Sequence, residues 1–372
     1  MKWILGLLAL VVLIIFHEFG HYIAARIFGV KVESFSVGMG PVLFHKMHKG
    51  TDWRISAFPI GGYCGMKGEN DFRQAIENNL SYIPGEEDSL YGVHPLKRAA
   101  IGFAGPLFNY IFAFICYTII AITGYTYYSY SNKIILAPEI YEGSSLVAAN
   151  AGLLTGDVIT AVNNKKVEDF SDIIQSVSIH PEEEIQITVL RNNKELTFTL
   201  IPELDKESGT GKVGIAADTS EILKKEAKQY SFFPAIGHGF TQAAENVALT
   251  IKSIGILFKG VNLNNAVSGP ARVTDILGSG IKEGFSEGFR QGIVSMLELM
   301  AIISISLFIM NLLPIPILDG GLILIALIES LTRKKVSPKL MYYSQFVGLA
   351  FIAVLFIIGI KGDILFFLNK GK

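Results

Sequence analysis

Two histidines and a glutamate, His17, Glu18 and His21, form a His-Glu-x-x-His pattern near the end of the first apolar segment. On a helix, residues four positions apart lie on one face about one turn apart, so both imidazoles can reach a single metal ion. The residue after the first ligand is where zinc peptidases place the carboxylate that takes a proton from water. The pattern therefore predicts a zinc site with His17 and His21 as ligands and Glu18 as the catalytic base.

The residues before this pattern are unusual for a water-using site. Residues 3–16 carry no charge, so residues 1–27 are predicted to be a membrane span. Two imidazoles and a carboxylate inside a bilayer each cost at least a few kcal/mol unless they are paired, and a bound metal removes that cost. A cleaved signal peptide is the alternative interpretation of this segment, but such a peptide has no use for the pattern.

A third protein ligand is required, because catalytic zinc sites use three ligands and leave the fourth position to water. Asp319 is the best candidate, since it lies within apolar sequence beside Gly320 and close to Pro314 and Pro316. The alternative is that Asp319 only ends a helix. Glu298 is a weaker rival ligand, because it lies near the other end of its span.

The composition predicts a membrane protein. Of its 372 residues, 50% are hydrophobic and 17% are charged, against about 25% charged in soluble domains. A net charge of −1 disfavours nucleic-acid binding, and two cysteines do not make a disulfide framework. Four transmembrane segments are predicted, at residues 1–27, 99–128, 293–328 and 341–360.

The segments between the spans differ from one another. Residues 28–98 are predicted to be a β-rich loop that partly re-enters the membrane, with short strands at 31–42, 42–45 and 53–58. Residues 133–203 alternate short strands and helices like a compact α+β domain. Residues 204–290 are predicted to be a linker followed by surface helices. Basic residues flank the spans at Arg26, Lys97-Arg98 and Arg333–Lys339, and positive loops stay cytoplasmic. The 133–203 domain is then extracytoplasmic, and His17 lies on the order of 13 Å below the cytoplasmic surface.

Three features together resemble the site-2 protease family, and in particular the bacterial zinc proteases that activate sigma factors by cutting anti-sigma proteins. They are the His17–His21 pattern in a first span, a domain between spans, and Asn311-x-x-Pro314-x-x-x-x-Asp319-Gly320 in a later span. Shorter matches occur at residues 38–41, 61–63 and 103–109. The one departure is Leu322, where many relatives have a histidine after Asp-Gly-Gly.

The resemblance implies a Zn²⁺ site and a binding site for an extended substrate that pairs with an edge strand. The implied site residues are the metal ligands His17, His21 and Asp319, the catalytic Glu18, and the substrate-binding residues Asn311, Gly61, Gly62 and Tyr63. Residues 133–203 resemble a PDZ domain, which either binds substrate peptides or only restricts access.

We therefore expect a polytopic α-helical membrane protein with about four transmembrane helices, a membrane-associated β-rich loop and one extracytoplasmic PDZ-like α+β domain. The expected activity is intramembrane zinc endopeptidase cleavage of single-pass membrane proteins, such as an anti-sigma factor or remnant signal peptides, at the bacterial inner membrane. One alternative is a membrane PDZ scaffold with a non-catalytic metal site. Another is a zinc protease that cuts soluble substrates outside the bilayer.

Overall fold

The computed structural model describes residues 2–370, apart from the side chains of Ile60 and Lys370. The helices are α1 (Lys2–Ile27), α2 (Asp71–Glu77), α3 (Pro95–Thr123), α4 (Val147–Asn150), α5 (Phe170–Ser178), α6 (Phe232–Leu257), α7 (Leu263–Ala266), α8 (Pro270–Ser286), α9 (Phe289–Asn311), α10 (Asp319–Thr332) and α11 (Pro338–Lys370). The strands are β1 (Val32–His48), β2 (Thr51–Met66), β3 (Thr126–Tyr130), β4 (Ile134–Leu136), β5 (Val158–Val162), β6 (Lys165–Lys166), β7 (Ile185–Arg191), β8 (Lys194–Leu200), β9 (Glu203–Asp205), β10 (Thr210–Lys212), β11 (Ile215–Ala217) and β12 (Ile222–Glu226).

Four of the described helices, α1, α3, α9 and α11, are long and apolar enough to cross a membrane. The prediction of four apolar spanning helices is thus confirmed by length and composition. Helices α3 and α11 begin at Pro95 and Pro338. Proline suits the first helical position because its fixed φ matches the helix and its missing N–H would have no intrahelical partner there.

Residues 2–123, 230–247 and 269–364 form one compact unit, in which α1, α3 and α9 pack against one another. Helix α3 is central to it and contacts α1, α9 and α10. The backbones of α1 and α3 approach closely, because a Cβ placed on Gly20 would lie 2.3 Å from the carbonyl oxygen of Ala104. Small residues permit this kind of close approach between membrane helices.

The apolar region 293–328 is divided between α9 and α10, with an irregular connection at residues 312–318. Pro314 and Pro316 cannot donate backbone hydrogen bonds, so a helix cannot continue through them undisturbed. Ile317 has φ +88°, which is strained for a β-branched residue. Helix α11 holds this connection from one side, since Gly348 packs directly against the carbonyl of Pro316. The result places Asp319 at the first position of α10.

Strands β1 and β2 are longer than the short strands expected from the sequence, because each one bends and continues. Residues 32–37 of β1 pair with residues 62–66 of β2 on one side and with residues 52–55 on the other. The outer part of β1, residues 42–48, pairs with 51–56. The four strand segments therefore lie in the order 42–48, 51–56, 32–37, 62–66, and segment 62–66 is an edge.

Residues 124–229 and 248–268 belong to a second compact unit. Its main antiparallel sheet has the order β6-β5-β7-β8, and β4 pairs with β11. Helices α4 and α5 and these strands share a core of buried aliphatic residues that includes Leu153, Ile173 and Ile187. The observed elements make this unit a small α+β domain.

Asp169 ties α5 to the ribbon formed by β3 and β12. Its buried carboxylate accepts hydrogen bonds from the backbone N–H groups of Ser171 and Asp172 at the start of α5. The Lys225 ammonium on β12 donates to the same carboxylate at 3.0 Å. Although burial raises the pKa of Asp169, the Lys225 contact and the helix N–H groups outweigh it, so this pKa lies below its ordinary value.

Candidate metal centre

Three side chains converge beside α1 with the geometry of a metal site. The Nε2 atoms of His17 and His21 are 3.3 Å apart. The Asp319 carboxylate places one oxygen 3.2 Å from His17 Nε2 and the other 3.3 Å from His21 Nε2. Ligand atoms about 2.0–2.1 Å from a tetrahedral zinc lie roughly 3.3 Å from one another. The three groups therefore have the spacing of one face of a zinc tetrahedron, and these residues fit the ion.

Asp319 joins this cluster although it lies about three hundred residues along the chain from the histidines. The turn of residues 312–318 and the start of α10 bring its carboxylate against α1. Glu298, the rival candidate from the sequence, is not a member of the cluster found among the described residues.

Both histidine rings are held on their far side by α3. His21 Nδ1 donates to the backbone carbonyl of Ile101 at 2.8 Å, which leaves the Nε2 lone pair facing Asp319. His17 Nδ1 lies 3.1 Å from the side-chain amide of Asn109. The His21 ring also lies against Gly105, where a Cβ would sit 2.1 Å from Nε2. A second atom on each ring that is fixed in this way is typical of metal-binding histidines.

A cavity of about 450 Å³ opens beside the three clustered groups. It brings together most of the site residues expected from the sequence, with His17, Glu18, His21, Gly62, Tyr63, Asn311 and Asp319 all in its wall. Gly61 is the exception, because it lies one residue further back against Met39.

Comparison with known proteins assigns the chain to a family. A sequence model of peptidase family M50 matches residues 5–355. The chain belongs to peptidase family M50, the site-2 proteases. A protein of Treponema pallidum with the name "Putative zinc metalloprotease" is 34% identical over 98% of this chain and 99% of its own length. A Campylobacter jejuni protein whose name also begins "Putative zinc metalloprotease" is 35% identical over 95% of this chain and 90% of its own length. A Clostridium acetobutylicum protein with a name of the same form is 28% identical over 98% of this chain and 98% of its own length.

An edge strand lies beside the cavity at the metal-site cluster of this M50 protein. Segment 62–66 is paired with β1 on one side only, and Gly62, Cys64 and Met66 all line the cavity. Gly62 packs against α1, where a Cβ would lie 3.5 Å from Glu18 Cγ. The backbone of Cys64 lies close to the Glu18 carboxylate. The backbone N–H and C=O groups of alternate residues in a strand point to the same side. Those of Gly62 and Cys64 therefore point to one side, the side on which Glu18 lies.

A polar chain across the β1–β2 sheet holds the tyrosine of this edge. Arg54 donates one guanidinium N–H to the Tyr63 hydroxyl at 3.1 Å and another to the Asp52 carboxylate at 2.8 Å. His45 contacts the other Asp52 oxygen at 3.1 Å. The Tyr63 side chain is thereby fixed at the cavity wall.

Several further residues lie at this M50 site without a role predicted from the sequence, although Gly105 and Asn109 belong to the 103–109 match. Ile101, Gly105 and Asn109 support the histidine rings, and Glu69, Ser344 and Gln345 add polar groups to the cavity wall. Asn109 carried one usable signal, since it is an amide in an apolar helix four residues after Gly105. The Ile101 contact uses a backbone atom and leaves no trace in the residue types.

Proposed function

We propose that this family M50 zinc metalloprotease is an intramembrane endopeptidase that cuts the transmembrane segment of single-pass membrane proteins. The observation that carries the proposal is the position of the ligand cluster. His17 and His21 lie inside α1, after an uncharged run of residues 3–16, and share a cavity with an edge strand. A site at this depth reaches a peptide bond that is itself within the bilayer.

In this proposal His17, His21 and Asp319 hold zinc, and Glu18 is the proton carrier. When bound, zinc supplies Lewis-acid chemistry, which polarises the scissile carbonyl and lowers the pKa of water. Glu18 takes a proton from the attacking water and then donates it to the nitrogen of the leaving amine. The Glu18 side chain lies in the wall of the cavity, beside the edge strand that contains Cys64.

The substrate must be extended where it is cut, because a helix hides its peptide bonds in its own hydrogen bonds. Addition to the free edge at Gly62 and Cys64 gives the unwound segment new backbone partners. Asn311 and Tyr63 add side-chain hydrogen-bonding groups to the cavity wall. Irregular backbone at membrane depth is tolerated where protein or a wet cavity surrounds it.

The surface of the β1–β2 hairpin supports its insertion into the bilayer. Large apolar side chains are exposed along it, namely Met39, Val42, Leu43, Phe44, Met47, Ile55 and Phe58. A soluble protein rarely exposes such a patch. Its tip is polar instead, and the Lys49 carbonyl there accepts a hydrogen bond from Arg26 at the end of α1. The apolar part of the hairpin then lies in lipid, and the tip lies at the cytoplasmic surface.

The α+β unit completes the proposal as an extracytoplasmic PDZ-like domain of an inner-membrane protease that acts in regulated intramembrane proteolysis. Between α5 and strands β10 and β11 it has a cleft of about 700 Å³, lined by apolar residues such as Ile173 and Val213 and by charged residues such as Asp205 and Lys212. An open cleft favours binding of a substrate segment over simple occlusion. Anti-sigma factors and remnant signal peptides are substrates of the right kind, since both are single-pass membrane segments.

The test is to map the cut. Purified protein with zinc is incubated in detergent with a single-pass substrate, and the products are measured by intact-mass spectrometry. Both new termini are expected inside the transmembrane segment. A control substrate carries the same flanking sequences around a soluble segment and is expected to stay intact. Cleavage outside the span contradicts the intramembrane proposal, and no cleavage of any single-pass substrate supports the scaffold alternative.

A further prediction concerns Arg54. We expect Arg54→Leu to raise KM roughly 2- to 10-fold with little change in kcat, because one hydrogen bond to Tyr63 contributes about 1 kcal/mol. Tyr63→Phe removes the same contact, so the double variant should be no worse than the poorer single variant. Steady-state kinetics on a fluorogenic membrane substrate measure both parameters. Additive losses would mean that Arg54 does not act through Tyr63.

A further inference from the structure

Asn109 is an amide with an unusual set of contacts for a spanning helix. It lies in α3 with no exposed surface. Its Nδ2 position is 3.1 Å from His17 Nδ1, while its Oδ1 finds no hydrogen-bond partner among the described residues. A buried polar atom without a partner is costly and calls for an explanation.

The protonation of His17 decides which way this amide faces. If Nε2 of His17 holds zinc with its lone pair, the single proton of the neutral ring is on Nδ1. The Nδ1–H group then needs an acceptor, which is Oδ1 and not Nδ2. The two orientations of an amide place their heavy atoms almost identically, so hydrogen bonding must assign them. Either orientation of the amide leaves one of its two polar atoms without a partner among the described residues. The orientation is therefore assigned from the contact with His17 alone.

We propose that Asn109 is a positioning residue that accepts the Nδ1–H of His17 through Oδ1 and so holds the His17 Nε2 lone pair toward the metal. The inference rests on the proposed role of His17 as a ligand. It gives His17 the support that the Ile101 carbonyl gives His21 at 2.8 Å.

The backbone around Asn109 makes α3 a rigid support for both rings. Ser304 of α9, itself fully buried, donates its hydroxyl to the Asn109 carbonyl at 2.8 Å. Ile101, Gly105 and Asn109 are spaced four residues apart, so they follow one stripe along the helix. The stripe supplies a carbonyl to His21, space for the His21 ring, and an acceptor to His17.

The experiment compares Asn109→Asp with Asn109→Leu in the purified full-length chain. Aspartate keeps an acceptor at the same place but cannot donate, whereas leucine has a similar volume and can do neither. Zinc affinity is measured in detergent by competition with a chromogenic chelator, and the absorption spectrum of the Co²⁺-substituted protein reports ligand geometry. Loss of an outer partner of this kind lowers metal affinity 10- to 100-fold, so Asn109→Leu should weaken zinc binding by that factor. Asn109→Asp should stay within about threefold of the unmodified chain.

Two results would overturn the inference. If Asn109→Asp bound zinc as weakly as Asn109→Leu, the Asn109 amide would either donate a hydrogen bond to His17 or only pack against it. Unchanged affinity and Co²⁺ spectrum in Asn109→Leu would mean that the contact does not matter. If Asn109→Leu does not fold, Asn109→Ala with the Asn109→Asp comparison decides the same question. His17→Ala separates the two proposals. Unchanged zinc affinity in His17→Ala refutes the ligand assignment. Lost zinc affinity in His17→Ala together with unchanged affinity in Asn109→Leu refutes only the role of Asn109.

Discussion

Glu18→Gln is expected to lower kcat about 10²- to 10⁴-fold while zinc stays bound, since a positioned general base contributes this factor. The glutamine side chain has nearly the same shape as glutamate and keeps one carbonyl oxygen in the cavity wall. It cannot take a proton from water at neutral pH, so only the proton transfers are lost. Single-turnover cleavage of a transmembrane substrate, with zinc content measured on the same sample, checks both halves of the prediction.

The cavity offers a matched control for this variant. Glu69 is a second carboxylate in the same wall, and no ligand atom of Glu69 belongs to the metal cluster found in residues 2–370. Glu69→Gln is expected to keep kcat within a few-fold of the unmodified chain. If Glu69→Gln were the inactive variant and Glu18→Gln the active one, the assignment of the base would be wrong.

Residue types and their spacing indicate only one part of the site. The sequence pointed to His17 and His21 because helical spacing alone puts two imidazoles on one face, and to Glu18 because it directly follows the first of them. Asp319 was found because a carboxylate in apolar sequence is costly unless something pairs with it. Both arguments are local, and they need no knowledge of how the helices cross.

The supports of the two histidines depend on how the helices cross. The Ile101 carbonyl reaches His21 because α1 and α3 touch at Gly20, and no residue type records that crossing angle. The strand lengths of the β1–β2 hairpin were predicted wrongly for a related reason. The sequence predicted separate short strands at 31–42 and 42–45, whereas positive φ values of +86° at Gly38 and Gly40 let one strand bend and continue to His48. Residues 32–37 of β1 pair with two different segments of β2, one on each side. The alternation of apolar and polar residues along the sequence does not encode such long-range pairing.

Gly105→Ala is expected to remove the metal, although it adds only one methyl group and lies 84 positions from His21. The new Cβ would stand 2.1 Å from His21 Nε2, 2.5 Å from Cε1 and 2.7 Å from Cδ2. Heavy atoms do not approach this closely, so the ring must turn or α3 must move away from α1. The ring cannot turn without breaking its 2.8 Å bond to the Ile101 carbonyl. Either movement takes Nε2 out of the 3.3 Å spacing with His17 and Asp319.

Gly102→Ala is the control for this effect, because it adds the same methyl group to the same helix. Its Cβ would be 3.1 Å from an Ile323 side-chain atom and 3.5 Å from a Leu322 side-chain atom, and its 3.6 Å distance from the Asp319 carbonyl oxygen is an ordinary van der Waals contact. We therefore expect Gly102→Ala to bind zinc normally, and Gly105→Ala to lose at least the 10- to 100-fold in affinity that loss of one supporting contact costs. Zinc titration of both variants, with thermal unfolding to check the fold, measures the difference. Equal affinities would mean that the close contact between α3 and the His21 ring does not control the metal site.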